Sequence, residues 1–281
     1  MSENSTTADG ERGEGCSLAE LRVFIRRLYI PDPTASLRVE EEKKCLELAG
    51  FLGEVHRLIA GRGGRARALT VVDAAAGKGY LGVAIASLAG PRCGRLVRVR
   101  FIEREPSRLD AIRSACDAGG IDPALTDFIQ ADASDERAWQ EAPDLAVALH
   151  ACGEATDQVI RQATRRRARH ILVAPCCVAS WLPAARRAED LALATGLPRH
   201  AEVRRRFVEA CVLGERVLEL EAAGWETVTV PFVAASVTPY NVLLRARRAG
   251  EPRRMHQAES ALARFRNPGA GRGPASISSA Y

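Results

Sequence analysis

Five places in this chain combine residue types and spacings that could do chemistry. The first is Asp73-Ala-Ala-Ala-Gly77-Lys78-Gly79-Tyr80-Leu81. Glycines let a backbone turn tightly and approach a ligand. A helix that starts just after them offers free N–H groups. The spacing Asp-x-x-x-Gly-x-Gly, with Ala75 and Lys78 inside it, differs from the dinucleotide fingerprint GxGxxG. The second place is Glu103, 30 residues beyond Asp73. A carboxylate there can accept both hydroxyls of a ribose; the plainer alternative is a solvated acid at a helix start. The third is Asp132, a ligand contact or else a helix cap, a role open to Ser134 and Asp135 as well.

The fourth and fifth places are His150-Ala-Cys152-Gly153-Glu154-Ala-Thr156-Asp157 and Ala174-Pro175-Cys176-Cys177. A histidine with an unperturbed pKa of about 6.5 exchanges protons at neutral pH; Asp157 is the second candidate for that work. Thiols can line a site, attack as nucleophiles, join His150 around zinc, or simply pack. Adjacent cysteines in an extended segment point in different directions, and the spacing matches no common zinc module. No metal is therefore expected. His150, Cys152, Asp157, Cys176 and Cys177 are the catalytic candidates.

These places need elements to position them, and the apolar pattern supplies them. LTVVD (69–73), LVRVRFIE (96–103), DFIQAD (127–132), DLAVALH (144–150) and HILVAP (170–175) read as buried strands. Helical patterns follow them at 79–89, 106–118, 154–167 and 180–194, then a long one at 201–223 stopped by Gly224. WETVTVPFV (225–233) and NVLLRA (241–246) close the series as a strand pair. Each chemical residue thus falls just after a strand. Five βα units and two further strands predict an α/β fold, a Rossmann-like doubly wound seven-stranded sheet, parallel with one antiparallel edge strand. Such sheets bind ligands at the carboxyl ends of their strands. Two helices at 17–30 and 39–60 precede it as a short helical cap, the first ended by Pro31 and Pro33 and the second by glycines at 61–64. The expected division is a disordered tail (1–16), the cap (17–64), the main domain (65–249) and a flexible tail (250–281), part of it helical at 257–265.

At 281 residues and 47% hydrophobic, the chain can bury a large core. No run of about 18 apolar residues predicts a membrane span, and the polar, acidic start is no secretory signal. Eight cysteines without that signal predict reduced thiols and a cytoplasmic location. The first 20 residues hold five acids and one base and so carry −4, which, for a net charge of +5, leaves +9 on the other 261. A basic body suits a polyanion such as RNA, although heavy arginine and alanine use also follows from a GC-rich genome.

DAAAGKGYL, LHACGEATD, APCC and the late VTPYNVLLRA together resemble one subfamily of the class I S-adenosylmethionine-dependent methyltransferases. That subfamily includes bacterial proteins of unassigned substrate and eukaryotic relatives described as ribosomal-RNA-adenine-methylase-like. HxCGxATD also resembles the pattern of tRNA 2′-O-methyltransferases, and EKKCLELAGFL resembles the helix leading into that domain. The resemblance covers residues 40–247. It implies S-adenosylmethionine as cofactor, with Asp73, Gly77, Gly79, Glu103 and Asp132 as contacts. Ala75, where these enzymes usually carry glycine, and Lys78 belong to the same loop. The tRNA enzymes often carry His after the paired cysteines, where this chain has Val178 and Ala179, and lack of their zinc modules sets it apart.

Methyl transfer from a sulfonium is an in-line displacement that needs alignment, exclusion of water and the handling of one proton. His150 is the favoured proton carrier. Methylation at a pyrimidine carbon-5 would instead need Cys152 or Cys176 as nucleophile. If RNA is the substrate, Arg186, Arg187, Arg204, Arg205 and Arg206 are placed to hold phosphates; a solvated helix face is the alternative. Arg165, Arg166, Arg167 and Arg169 fall at the opposite edge. The expected activity is methylation of RNA, tRNA or rRNA. The alternatives are methylation of a ribosomal protein side chain and a non-catalytic module that binds cofactor or RNA. No obligate protein partner is expected.

Overall fold

The computed structural model describes residues 15–32, 34–60 and 67–267. Most of the tail expected over 1–16, Pro33, the break at 61–64 and the end from 268 lie outside the described residues. The chain begins with α1 (Leu18–Tyr29) and α2 (Val39–Ile59). Then come β1 (Leu69–Ala74), α3 (Tyr80–Ala84), a π turn (Ile85–Ala89) and α4 (Gly90–Arg92). β2 (Val97–Glu103), α5 (Pro106–Gly119), β3 (Thr126–Gln130), β4 (Leu145–Leu149), α6 (Glu154–Arg165) and β5 (His170–Ala174) follow. α7 (Pro183–Ala194), α8 (Ala201–Ala222), β6 (Trp225–Pro231), β7 (Val242–Arg248) and α9 (Pro252–Arg266) complete it.

Seven strands form one sheet in the order β3-β2-β1-β4-β5-β7-β6. β1 pairs parallel with β2, β2 with β3, and β4 with β5, whereas β7 runs antiparallel to β5. This is the Rossmann-like seven-stranded α/β fold that the alternating pattern predicts. The antiparallel strand β7 is next to last, and β6 forms the margin. No helix of the described residues is long and apolar enough to cross a membrane.

The chain divides into two compact units, the first Met1–Gln130 with Pro231–Asn241. In it α1 starts at a capping box: Ser17 Oγ accepts the Glu20 amide at 3.3 Å, and Glu20 Oε2 accepts the Ser17 amide at 2.8 Å. Such a cap contributes about 1 kcal/mol. Leu21, Phe24 and Ile25 recur at helical spacing and are buried. α1 packs on α2 and α5. Gly50 of α2 lets the 231–241 segment come close, since a Cβ there would overlap the Phe232 carbonyl. Phe51 meets Phe232 edge-on with ring centroids 6.3 Å apart. Asn241 Nδ2 donates to the Val233 carbonyl at 2.9 Å, and the Phe232 amide to the Asn241 carbonyl at 2.9 Å. The VTPYN motif therefore closes a loop that docks on α2.

The second unit is Ala131–Val230 with Val242–Tyr281. β4 and β5 are buried almost throughout, and α6 packs on both and on α8. Ala185 and Ala188 of α7 meet Val208 and Val212 of α8. α9 runs from Pro252 to Arg266, longer than the helix expected at 257–265, and packs on α8. Its docking is ionic at one end: Arg266 pairs with Glu215 at 2.7 Å and with Glu219. Ala258 is its one buried side chain among the described residues. An apolar pattern announces only part of a helix held in this way.

Candidate functional site

In the first unit, β1 delivers Asp73 to the start of the glycine loop, and Asp73 is only 2% exposed. Its Oδ2 accepts the Gly82 amide of α3 at 2.9 Å, which fixes the helix to the strand end. Burial pushes the Asp73 carboxyl up to about 8; the Gly82 hydrogen bond opposes this and nearby Glu103 adds to it. Gly77 and Gly79 take φ of +60° and +75°, the left-handed region that glycine tolerates best. Ala75 also sits there, at φ +53°. Its Cβ carries a torsional cost of about 1 kcal/mol or more that glycine would not.

Glu103, at the end of β2 and 3% exposed, ties the loop to the neighbouring strand. Its Oε2 accepts the Gly77 amide at 2.7 Å and its Oε1 the Glu105 amide at 3.0 Å. The solvated-acid alternative does not describe this side chain. Two backbone donors occupy part of a carboxylate that has about four acceptor positions, so capacity for a diol remains. Lys78 is exposed at the loop tip.

In the second unit, Asp132 is exposed and caps its own turn. Its Oδ1 accepts the Ser134 amide at 2.9 Å and the Ser134 hydroxyl at 2.7 Å. His150 stands just beyond β4 in the left-handed region, φ +67°, a strained backbone for a residue with a Cβ. Its amide donates to the Ala174 carbonyl at 3.0 Å, joining the ends of β4 and β5. Gly153 caps α6 at a close approach: a Cβ there would lie 3.3 Å from Ala179 Cβ and 3.9 Å from Trp181 Cζ2. Trp181, which the sequence does not single out, is 64% exposed beside this loop.

The thiols converge, as their places after β4 and β5 imply, but not all of them are reduced as the sequence suggested. Cys152 and Cys176 are joined as a disulfide, with Cα atoms 5.7 Å apart, and the Cys177 thiol is free. The three sulfurs lie within 4.8 Å of one another, a group able to hold a metal ion. The expectation of no metal rests on side chains alternating in an extended strand. β5 ends at Ala174, however, and residues 175–179 belong to no strand, so the alternation does not separate Cys176 from Cys177.

Asp157 is not a free base. Its Oδ1 accepts Arg216 Nε at 2.6 Å, and Arg216 is 4% exposed along its side chain. Both residues border a cavity of about 370 Å³ that also reaches Arg187, Glu215 and Arg266. Four of the five arginines expected to meet phosphate are paired internally. Arg187 binds Glu215; Arg204 binds Glu189 at 3.3 Å; Arg205 binds Glu202 at 2.9 Å and Glu209 at 2.6 Å; Arg206 binds Glu202 at 2.7 Å. Arg186 is exposed on α7. A phosphate would have to compete with these acids.

Residues 43–181 match a protein family described as "Methyltransferase domain". No curated relative matches the chain. Among solved structures, the chain is similar to magnesium protoporphyrin IX methyltransferase from Synechocystis PCC 6803 with bound SAM. Identity is 15%, over 80% of this chain and 90% of that one, with a TM-score of 0.49. An rRNA methylase from Streptococcus thermophilus gives 13% identity over 70% and 95%, with a TM-score of 0.42. A putative rRNA methylase from Clostridium thermocellum gives 14% over 71% and 96%, with a TM-score of 0.46.

The fold and the matched domain define a class: this chain is an enzyme, an S-adenosylmethionine-dependent methyltransferase. Its own residues fit the cofactor, through a glycine loop with open space at Gly77 and a buried carboxylate at the next strand end.

Proposed function

We propose that this methyltransferase acts on RNA, with tRNA and rRNA as the substrate classes. The observation that carries the reading is Trp181, an exposed indole packed beside the His150–Asp157 loop at the end of β4. An aromatic face next to a catalytic loop suits an unstacked base. The +9 carried by residues 21–281 favours a polyanion. Arg186, five residues beyond Trp181 and exposed, is the first phosphate contact; Arg187, Arg204, Arg205 and Arg206 join it where phosphate displaces their acids.

S-adenosylmethionine supplies the methyl group from its sulfonium. Asp73 orients the loop through Gly82, while Gly77, Gly79 and Lys78 present backbone and charge to the cofactor. Ala75 sets the turn. Glu103 accepts the ribose hydroxyls with its remaining lone pairs, and Asp132 contacts the base edge of the cofactor. His150 takes the acceptor proton through its imidazole. Asp157, held by Arg216, positions α6 rather than exchanging protons.

The test uses tritiated S-adenosylmethionine with total tRNA, ribosomal RNA and intact ribosomes. Label removed by ribonuclease and retained after protease supports the reading. Label removed by protease alone would replace it with methylation of a protein side chain.

A further inference from the structure

Cys152, Cys176 and Cys177 converge from two separate strand ends. Cys152 lies three residues beyond β4, and Cys176 and Cys177 lie just beyond β5. Both ends are held. The His150 amide bonds the Ala174 carbonyl, and the Sγ atoms of Cys152 and Cys176 lie 3.4 and 3.6 Å from the His150 carbonyl oxygen. The Ala155 amide closes on the Cys152 carbonyl at 3.1 Å, and the Thr156 hydroxyl donates to the Ala151 carbonyl. The sulfurs are thus carried by a braced framework rather than by loose loops.

Their mutual separation is the informative quantity. A tetrahedral zinc with Zn–S bonds of about 2.3 Å sets its sulfurs roughly 3.8 Å apart. Three sulfurs within 4.8 Å of one another reach that arrangement by small side-chain rotations. A disulfide between Cys152 and Cys176 uses two of the thiols and leaves the third, Cys177, without a purpose. A cation uses all three. The group contains no fourth histidine, cysteine or carboxylate among the described residues. Three protein ligands with an open fourth position is the arrangement of zinc sites that bind an exogenous ligand, whereas closed structural sites supply four. Cys152 is exposed, so that position is reachable from solvent.

We propose that, with its thiols reduced, this protein binds one thiophilic divalent cation, zinc foremost, through Cys152, Cys176 and Cys177, with its fourth position free. Binding converts the three thiols to thiolates and releases their protons to solvent. The proposal does not depend on RNA being the substrate, and it is read without any measurement of methyl transfer.

The test is metal content by plasma mass spectrometry on the full chain, purified under reducing conditions and desalted, beside Cys177→Ser and Cys211→Ser. Cys211 is a half-buried free cysteine on α8 outside the group, so its variant controls for loss of any thiol. Circular dichroism of all three proteins confirms folding. The expected result is one zinc per wild-type chain, retained by Cys211→Ser and reduced to background in Cys177→Ser. Reconstitution with cobalt(II) then gives thiolate-to-cobalt absorption in the wild type and loses it in Cys177→Ser. Wild-type protein without zinc that takes up no cobalt overturns the proposal and leaves a Cys152–Cys176 disulfide beside a spare thiol. Full metal content in Cys177→Ser overturns it as well, because the disulfide partners alone would then suffice.

Discussion

The Glu103 carboxylate accepts the Gly77 amide at 2.7 Å, reaching back 26 positions along the chain from the end of β2 into the loop after β1. One side chain therefore shapes the loop and offers its remaining lone pairs outward. This contact depends on Gly77 holding φ +60°. A Cβ at Gly77 would meet nothing within 4 Å. The cost of Gly77→Ala is thus torsional alone, about 1–2 kcal/mol. Calorimetric melting should place this variant several degrees below the wild type, with weaker cofactor binding. An unchanged melting temperature would mean that the loop has another conformation.

Ala75 makes the converse prediction. At φ +53° it bears a strain that glycine lacks. Ala75→Gly should match or exceed the wild type in melting temperature. Ala75→Val, β-branched in a left-handed conformation, should fall below both. The order Val, Ala, Gly is the observable, and any inversion of it contradicts the assigned backbone.

Asp73 governs a pH effect. Its buried carboxyl is pushed up to about 8, above its ordinary 3.8, chiefly by desolvation. An acid that binds its proton more tightly when folded makes the folded state lose stability as pH rises, here from about 4 to about 8. Asp73→Asn keeps an oxygen for the Gly82 amide but has no charge to bury. Its melting temperature should gain on the wild type progressively over that window, by roughly 2–4 °C for each kcal/mol. Parallel pH profiles would show that Asp73 is charged and compensated in the fold.

Glu215 works in the opposite sense. Burial raises its carboxyl, but hydrogen bonds from Arg187 and Arg266 outweigh that and hold it below its ordinary value. Its contribution is present at neutral pH and is lost as pH falls through the depressed pKa. Glu215→Gln should cost roughly 1–3 kcal/mol at neutral pH, since both arginine partners are partly exposed and screened. The deficit should shrink in acid as the wild-type carboxyl protonates. The same variant should release α9, seen as faster hydrogen exchange over residues 252–266.

Much of this architecture was legible beforehand. Buried runs such as LTVVD and HILVAP define the strands within a residue or two, and the pattern stopped by Gly224 defines α8 as closely, whereas α7 starts three residues later than expected and α9 five residues earlier. That Glu103 belongs beside the glycine loop follows from parallel β1 and β2 ending together. Other features had no one-dimensional signal. The Asp157–Arg216 pair joins residues 59 positions apart. The strain at Ala75 and His150 is a matter of torsion, which composition does not reveal. Strand order puts Cys176 near Cys152, but that Cys177 joins them required the chain to leave the strand at Pro175, where alternation no longer applies. Trp181 reads in sequence like any core tryptophan, and only the fold leaves it exposed.

His150 carries the proposed proton transfer. His150→Ala should retain binding of S-adenosylhomocysteine while turnover falls about 10²–10⁴-fold. His150→Gly, which relieves the left-handed backbone, should be more stable than His150→Ala and equally inactive. Full activity in both variants would remove the imidazole from the reaction.

The most direct measurement is titration calorimetry of the purified protein with S-adenosylhomocysteine, beside Glu103→Ala. The wild type should bind at micromolar concentration, and the variant at least about tenfold more weakly, since the lost carboxylate both shapes the loop and accepts the ribose. No binding by a folded wild type, or equal affinity in the two proteins, would contradict this cofactor site.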